Sequence, residues 1–416
     1  MRIITLLLFS LLVLSACGNA PTPPADSTRT LIPTTSPSEA TPSAATTSAA
    51  NTEIIPTTTL VSIDLPSAET PTVAIAPPRT AAVMTPSPSA TTIRLIHGLI
   101  GPFDYGEGIN PLTGQVAPNP EILARRPIAI KISNNARVRP QAGINSADLV
   151  FEHLTEGGIT RLTAIFYGRD SNKVGSIRSG RLIDLELPIM YDAAFAYSGS
   201  SAPLRLMFLR SLFFDRIISP DFAHGGFERI SNPANPNERV EDTLYTDTYL
   251  LRWMLDQRGL DTSPDFKHGM SFHPDSPEGG AVVNGVEILY PATSAYWHYS
   301  TNLSGYLRWS DGIPHLDANT GSQLLFQNIV VVRAPHLNTE IIEDSGGSPS
   351  IQIQIWGEGP VSLYRDGLRF DGVWRRLDSR EMLTFFTQEG EILPLSPGKT
   401  FFQIVPVDFS ELFETP

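Results

Sequence analysis

Cysteine is almost absent from this 416-residue chain: the single one is Cys17. An internal disulfide framework is excluded, and so is any multi-cysteine metal or cluster site. Basic side chains are scarce as well. Thirty Lys and Arg stand against 43 Asp and Glu, a formal net charge of −13. Neutralising phosphates takes a surplus of cations, so a nucleic-acid partner is not expected. The longest apolar run, Ile3 to Val13, falls short of the ~20 residues that cross a bilayer as a helix. A G-x-S-x-G nucleophile elbow, an H-E-x-x-H metal motif and a complete P-loop are all missing. Ser396-Pro397-Gly398-Lys399 fits S-x-x-K only inside a Pro-Gly turn. No metal and no cofactor is expected.

What the chain does have begins with an address. Arg2 followed by the apolar run reads as a secretory signal. It closes on Leu14-Ser15-Ala16-Cys17, the pattern of a bacterial lipobox, in which a peptidase cuts before the cysteine and the thiol takes a diacylglyceryl group. Two acyl chains anchor stably where one binds only marginally. Residues 1–17 are therefore assigned as a signal peptide with lipidation at Cys17, and the membrane as a partner through that anchor. From Pro21 to Ala90, 50 of 70 residues are Pro, Ser, Thr or Ala, and none is aromatic. Such a segment buries too little apolar surface to offset its ordering entropy. Residues 18–93 are expected to be a disordered tether, spanning on the order of 50 Å as a flexible coil.

Globular texture starts near Arg94-Leu95-Ile96-His97 and runs to Pro416. Ile128, Ile130 and Ile132 alternate with Ala129, Lys131 and Ser133, the period of a strand. Ala147 to Leu154 and Thr160 to Tyr167 are two more strands, joined by the turn signal Glu156-Gly157-Gly158. A turn centred on both glycines sets Glu152 opposite Thr163 and makes Glu152 and Arg161 diagonal neighbours that can pair. Arg181 to Met190 and Pro203 to Phe213 carry helical spacing, with a short strand, Ala193 to Tyr197, between them. Asp247 is placed to cap a helix ending near Gln257. Beyond Gly279, short apolar runs alternate with turn signals such as Asp311-Gly312, Asp366-Gly367 and Asp371-Gly372. The expected class is α+β: a mixed α/β N-terminal domain, residues 94–278, then a mostly β C-terminal domain, residues 279–416.

The body resembles the YerB-like bacterial lipoproteins. The resemblance rests on Arg126-Pro127-Ile128-Ala129-Ile130-Lys131-Ile132-Ser133-Asn134-Asn135, on Arg139-Pro140-Gln141-Ala142-Gly143 and on Ala147 to Glu152. Glu156 to Arg161 and Gly175-Ser176-Ile177-Arg178-Ser179-Gly180-Arg181 continue it. In the second half it is carried by Tyr306-Leu307-Arg308, Gly312, His315, Asp317 and Thr320-Gly321. It implies an anchored, envelope-facing protein with paired N- and C-terminal domains, and no known activity. Tyr197 stands where the family often has a His before the glycine-serine turn. Val240-Glu241-Asp242 replaces a Pro-His-Asn run. Any chemistry those histidines served elsewhere is missing here.

Candidate chemistry centres on Ser176 to Arg181. If this segment opens a helix, its free N–H groups and the dipole suit an anion, and Arg178 and Arg181 offer bidentate guanidinium groups. The competing reading is structural, with the arginines paired to Glu152, Asp148 or Asp184. Ser176, Ser179, Arg161, Asn134 and Arg139 are candidate ligand-binding residues around the same site. Glu152, with Glu156, is a weak candidate for the carboxylate pair of a glycan hydrolase. The leading expectation is a non-enzymatic envelope module that binds an anionic ligand or an envelope protein. The alternative is a hydrolase or transferase acting on envelope glycans or phosphodiesters.

Overall fold

The computed structural model describes residues 97–231 and 238–416. Cys17, the signal peptide and the tether segment lie outside the described residues. In the first half, alternating Ile128, Ile130 and Ile132 form β1 (Ile128–Ser133), followed by β2 (Leu149–Leu154) and β3 (Thr160–Phe166). Helix α1 (Leu187–Met190), β4 (Ala194–Ala196), α2 (Ala202–Leu209), β5 (Ile217–Ile218) and α3 (Thr248–Asp256) complete that half. The second half is a succession of strands: β6 (Gly285–Tyr290), β7 (Thr293–Ser300), β8 (Gly305–Ser310), β9 (Asn328–Ala334), β10 (His336–Ile342) and β11 (Pro349–Ile353). Then come β12 (Gly357–Arg365), β13 (Leu368–Arg376), β14 (Thr400–Pro406) and β15 (Leu412–Thr415).

Both halves contribute to one eleven-stranded sheet. Its central order is β13-β12-β9-β14-β2-β3-β1-β4-β5, with Ala281–Val282 and Thr384–Phe386 added at β13. The strand that joins the halves is β14. It pairs in parallel with β9 on one side and β2 on the other, placing Gln403 beside both Val331 and Glu152. A sheet covered on both faces should read as nearly continuous apolar strands rather than as alternation, and these strands do. One face buries Leu149, Phe151, Ile165, Phe195, Val330 and Phe402 under residues 182–190 and α2. Phe151 and Phe402 stack there at 4.3 Å across the joint. The other face buries Val150, Leu162, Val331 and Phe401 beneath α3 and a second sheet containing β8-β7-β6-β15.

The structure corrects the expected helical content. The body is mostly strand, and the described α-helices have four, eight and nine residues. Residues 181–190 form a 3-10 turn, Leu182–Leu185, and then α1, which opens with Pro188 in its first turn. Helix α2 ends at Leu209, and the Ser211 hydroxyl donates to Phe208 O as the chain turns Phe213 into the core. The α/β element is limited to the parallel trio β1-β4-β5. Helix α3 forms where its cap predicts, with Asp247 Oδ1 accepting from Leu250 N at 2.6 Å. Asp366-Gly367 turns tightly with both residues at positive φ. Asp371-Gly372 is not a turn but lies inside β13, where an added Cβ at Gly372 would stand 2.2 Å from Phe386 O.

Because β14 is sandwiched between strands of both halves, residues 97–278 and 279–416 produced separately should each lack a cooperative melting transition, and mixing should restore it. Independent melting of either half, read by circular dichroism, would contradict the shared-sheet account.

Candidate functional site

The β2–β3 hairpin carries most of the candidate residues, and its register decides where each one points. Thr155 N donates to Ile159 O at 2.8 Å, so the turn centres on Gly157 alone, with Gly157 and Gly158 both at positive φ. Phe151 pairs with Thr163 and Glu152 with Leu162, one residue away from the expected register. A slip of one sends side chains to the opposite face. Glu152 therefore points to the second-sheet side, Arg161 to the helical side, and the expected Glu152–Arg161 pair does not form.

On the second-sheet side, Glu152 is fully buried and fully engaged. Its Oε2 accepts from Arg308 Nη2 at 2.8 Å, and its Oε1 accepts from Asn134 Nδ2 at 2.8 Å and Thr160 Oγ1 at 2.7 Å. The Arg308 guanidinium stands over the rings of Trp297 and Phe401. Its Nε donates to His315 Nδ1 at 3.0 Å, so the imidazole must carry its proton on Nε2, which donates to Gln141 Oε1 at 2.6 Å. Burial, and then the Arg308 charge, hold His315 neutral well below its ordinary range. Arg139 ties this region together, donating to Asn134 O and Thr293 Oγ1, each at 2.8 Å, and pairing with Asp311. Arg308 Nη1 and Gln403 Nε2 are buried without a hydrogen-bond partner.

On the helical side, Lys131 Nζ pairs with Asp184 at 2.8 Å and donates to His153 Nε2 at 2.6 Å. Burial lowers Lys131 to about 8 against the opposing pull of Asp184. Nearby, Arg181 grips Glu156 with Nε, at 2.7 Å to Oε2, and with Nη2 to Oε1. Arg161 Nη2 reaches the same Oε1 at 3.1 Å, and its Nη1 donates to Ser179 O. Burial acts to raise Glu156, but the hydrogen bond from Arg181 and the charges of Arg161 and Arg181 outweigh it and hold the carboxyl at about 2. Burial, then the Arg181 charge, brings Arg161 down to about 9.

Residues 176–181 do not open an α-helix. Arg181 is extended, and its N–H is taken by Asp184 Oδ2 at 2.7 Å. Along extended chain, side chains three apart face opposite ways: Arg181 meets Glu156, while Arg178 meets Asp242 at 2.7 Å. Ser176 is buried, its carbonyl accepting from Ser133 N and its hydroxyl without a partner. A cavity of about 160 Å³ opens beside Asp242, lined by Arg137, Arg139, Glu238 and Tyr245 among others. Its acidic and basic linings balance. Among the C-terminal aromatics, Trp297 and Tyr306 are core residues, while Tyr296 and Trp309 pack on each other at 5.5 Å.

Two outcomes follow. Arg308→Met should cost about 3–5 kcal/mol in urea unfolding because it strands a buried charge, and adding Glu152→Leu should recover most of that loss. A loss below about 1 kcal/mol in the single variant would show that the pair is not needed to neutralise Glu152. Glu156 is depressed from its usual 4.5, so its stabilisation is complete above that pH and disappears as pH falls toward about 2. The stability gap between wild type and Glu156→Gln should narrow over that window, and a gap independent of pH would contradict the arginine clamp.

Comparison with known proteins matches this geometry to a family. Residues 112–261 match the model described as "Protein of unknown function (DUF3048) N-terminal domain", and residues 286–402 match its C-terminal counterpart. Over 300 residues the chain is 29% identical to the Bacillus subtilis (strain 168) protein named "Putative lipoprotein YerB", covering 71% of this chain and 86% of that one. The crystal structure of YerB from Bacillus subtilis superposes with a TM-score of 0.60 at 27% identity, covering 74% of this chain and 99% of that one. Among the described residues no helix is long and apolar enough to cross a membrane. With both paired domains present and in order, the chain belongs to the YerB-like lipoprotein family.

Proposed function

We propose that the protein is a lipid-anchored, non-catalytic module of the cell envelope that docks an envelope protein through helix α2. The anchor rests on the lipobox ending at Cys17, on the tether composition and on the lipoprotein name of the relative. The docking reading rests on one observation. Leu206, Met207, Leu209 and Leu212 form an apolar ridge that is 43, 40, 46 and 85% exposed. Leu206 and Leu209 are three apart and neighbour one another on α2, and Leu212 follows in the turn just past the helix end. Arg205 and Arg210 flank the ridge, exposed, and their guanidinium groups make no hydrogen bond or ion pair among the described residues.

A contiguous apolar strip rimmed by charge is the pattern of an interaction surface. Two unpaired arginines in a chain of net charge −13 complement a partner that is apolar with an acidic rim. The same net charge disfavours laying the body flat on anionic lipid. The hydrolase alternative gains nothing from the geometry, because Glu152 and Glu156 sit on opposite faces of the sheet and each is neutralised by arginine.

A photoreactive residue at Leu209 of the full-length protein in its native membranes should give one discrete protein adduct. Arg205→Glu/Arg210→Glu should abolish it, and the same probe at exposed Val116 should not produce it. Adducts to lipid alone, or equal adducts at both positions, would sink the docking reading.

A further inference from the structure

The β10–β11 hairpin brings a carboxylate into the arginine cluster and leaves it without a hydrogen bond. Its two strands pair only with each other, off the main sheet. At its base Ile353 and Ile355 are buried in the helical-side core. At its tip Glu343 N donates to Ser348 O at 2.9 Å, and Asp344 Oδ1 accepts from Gly346 N and Ser348 N. Strand β11 packs against Glu156–Gly158 and Leu182–Leu185, which carries the tip to Arg181. There the Glu343 side chain is completely buried. Neither carboxylate oxygen has a hydrogen-bond partner, and the ion pair to Arg181 Nη1 is 3.6 Å long.

That is poor provision for a buried anion, which normally gathers several hydrogen bonds. The neighbouring carboxylates have them: Glu156 holds two arginines, and Asp184 holds Lys131, Thr163 Oγ1 and Arg181 N. Three cations, Lys131, Arg161 and Arg181, face three carboxylates, Asp184, Glu156 and Glu343. The count balances only while the hairpin is seated. Lifting the tip leaves one guanidinium charge without a carboxylate, on the Nη1 side of Arg181, where the remaining partner is Gly180 O at 2.7 Å.

We propose that this position is a binding site for an external oxyanion, a carboxylate or a phosphate. Glu343 occupies it in the resting protein, and the β10–β11 hairpin is the strap that lifts to admit the ligand. A loosely held internal carboxylate is displaced readily by one free to adopt bidentate geometry on the guanidinium. The site is independent of the α2 ridge, and either can fail alone.

The test is thermal unfolding of purified full-length protein in sodium acetate and in sodium phosphate, each against sodium chloride at matched ionic strength. Removing the resident carboxylate by Glu343→Ala should produce a saturable rise of about 2–4 °C with an oxyanion, while the wild type responds less. Arg181→Gln in the same background should erase it. Response to acetate alone assigns a carboxylate ligand, and response to phosphate alone assigns a phosphate. Glu343→Gln, which keeps the side-chain volume, gives the same reading if the alanine variant does not fold. In wild type, saturating oxyanion should also speed amide hydrogen exchange across residues 336–353 several-fold. Equal responses in wild type and both Glu343 variants, a response matched by chloride, or one that survives Arg181→Gln would each overturn the proposal.

Discussion

The ion pair between Glu152 and Arg308 is the constraint from which the architecture follows. Both side chains are wholly buried, and each charge carries a desolvation cost of several kcal/mol unless its partner and its remaining hydrogen bonds are in place. Glu152 belongs to the first half of the chain and Arg308 to the second. Asn134 and Thr160, which donate to Glu152, and His315, which accepts from Arg308 and donates to Gln141, are likewise drawn from both. Neither half can bury its own ion alone. The second sheet is thus fixed against the first in one registration, with Trp297 and Phe401 closing over the guanidinium. The two matched domains therefore appear as one physical unit: each supplies the charge that the other must neutralise.

The same hairpin serves two unlike networks because a strand offers alternate residues to alternate faces. Even-numbered β2 positions around Glu152 look toward the second sheet. Odd-numbered ones around His153 look toward Lys131, Asp184 and the arginines. This splits what the sequence presents as one polar cluster. Asn134 and Arg139 belong to the inter-half lock, Arg161 and Arg181 to the opposite face, and Arg178 to neither. Most of these groups spend their charge holding structure. Glu343 is the exception, buried and charged yet bonded to little, and that contrast within one cluster sets it apart.

Much of the fold was legible from local signals. Strands β1 to β3, the Asp366-Gly367 turn and the Asp247 cap all follow from residues within a few positions of one another. What was not legible is non-local or depends on one residue of register. Two adjacent glycines admit two turn centres, which differ by one residue in the partners they give Glu152 and Arg161. Apolar spacing near 181–190 reads as one helix, although that stretch is a 3-10 turn and a four-residue helix packed beneath the sheet, and α2 forms but stops at Leu209, short of Phe213. The parallel insertion of β14 between β9 and β2 links positions 251 residues apart and leaves no local trace. Arg308 and His315 were visible only as family motif residues. Glu343 carried no signal, because an acidic residue before Asp-Ser-Gly-Gly looks like an ordinary solvent-exposed turn.

The strap and the α2 ridge also share a support. Segment Leu182–Leu185 is packed by β11 from one side and by α2 from another. Gly180, one residue before Arg181, lies so close to α2 that an added Cβ would stand 2.8 Å from the Phe208 ring. Close-packed interiors transmit displacement rather than absorb it. The β10–β11 hairpin and α2 therefore bear on one short segment, and the close approach of Phe208 to Gly180 leaves no slack between α2 and the residue that precedes Arg181.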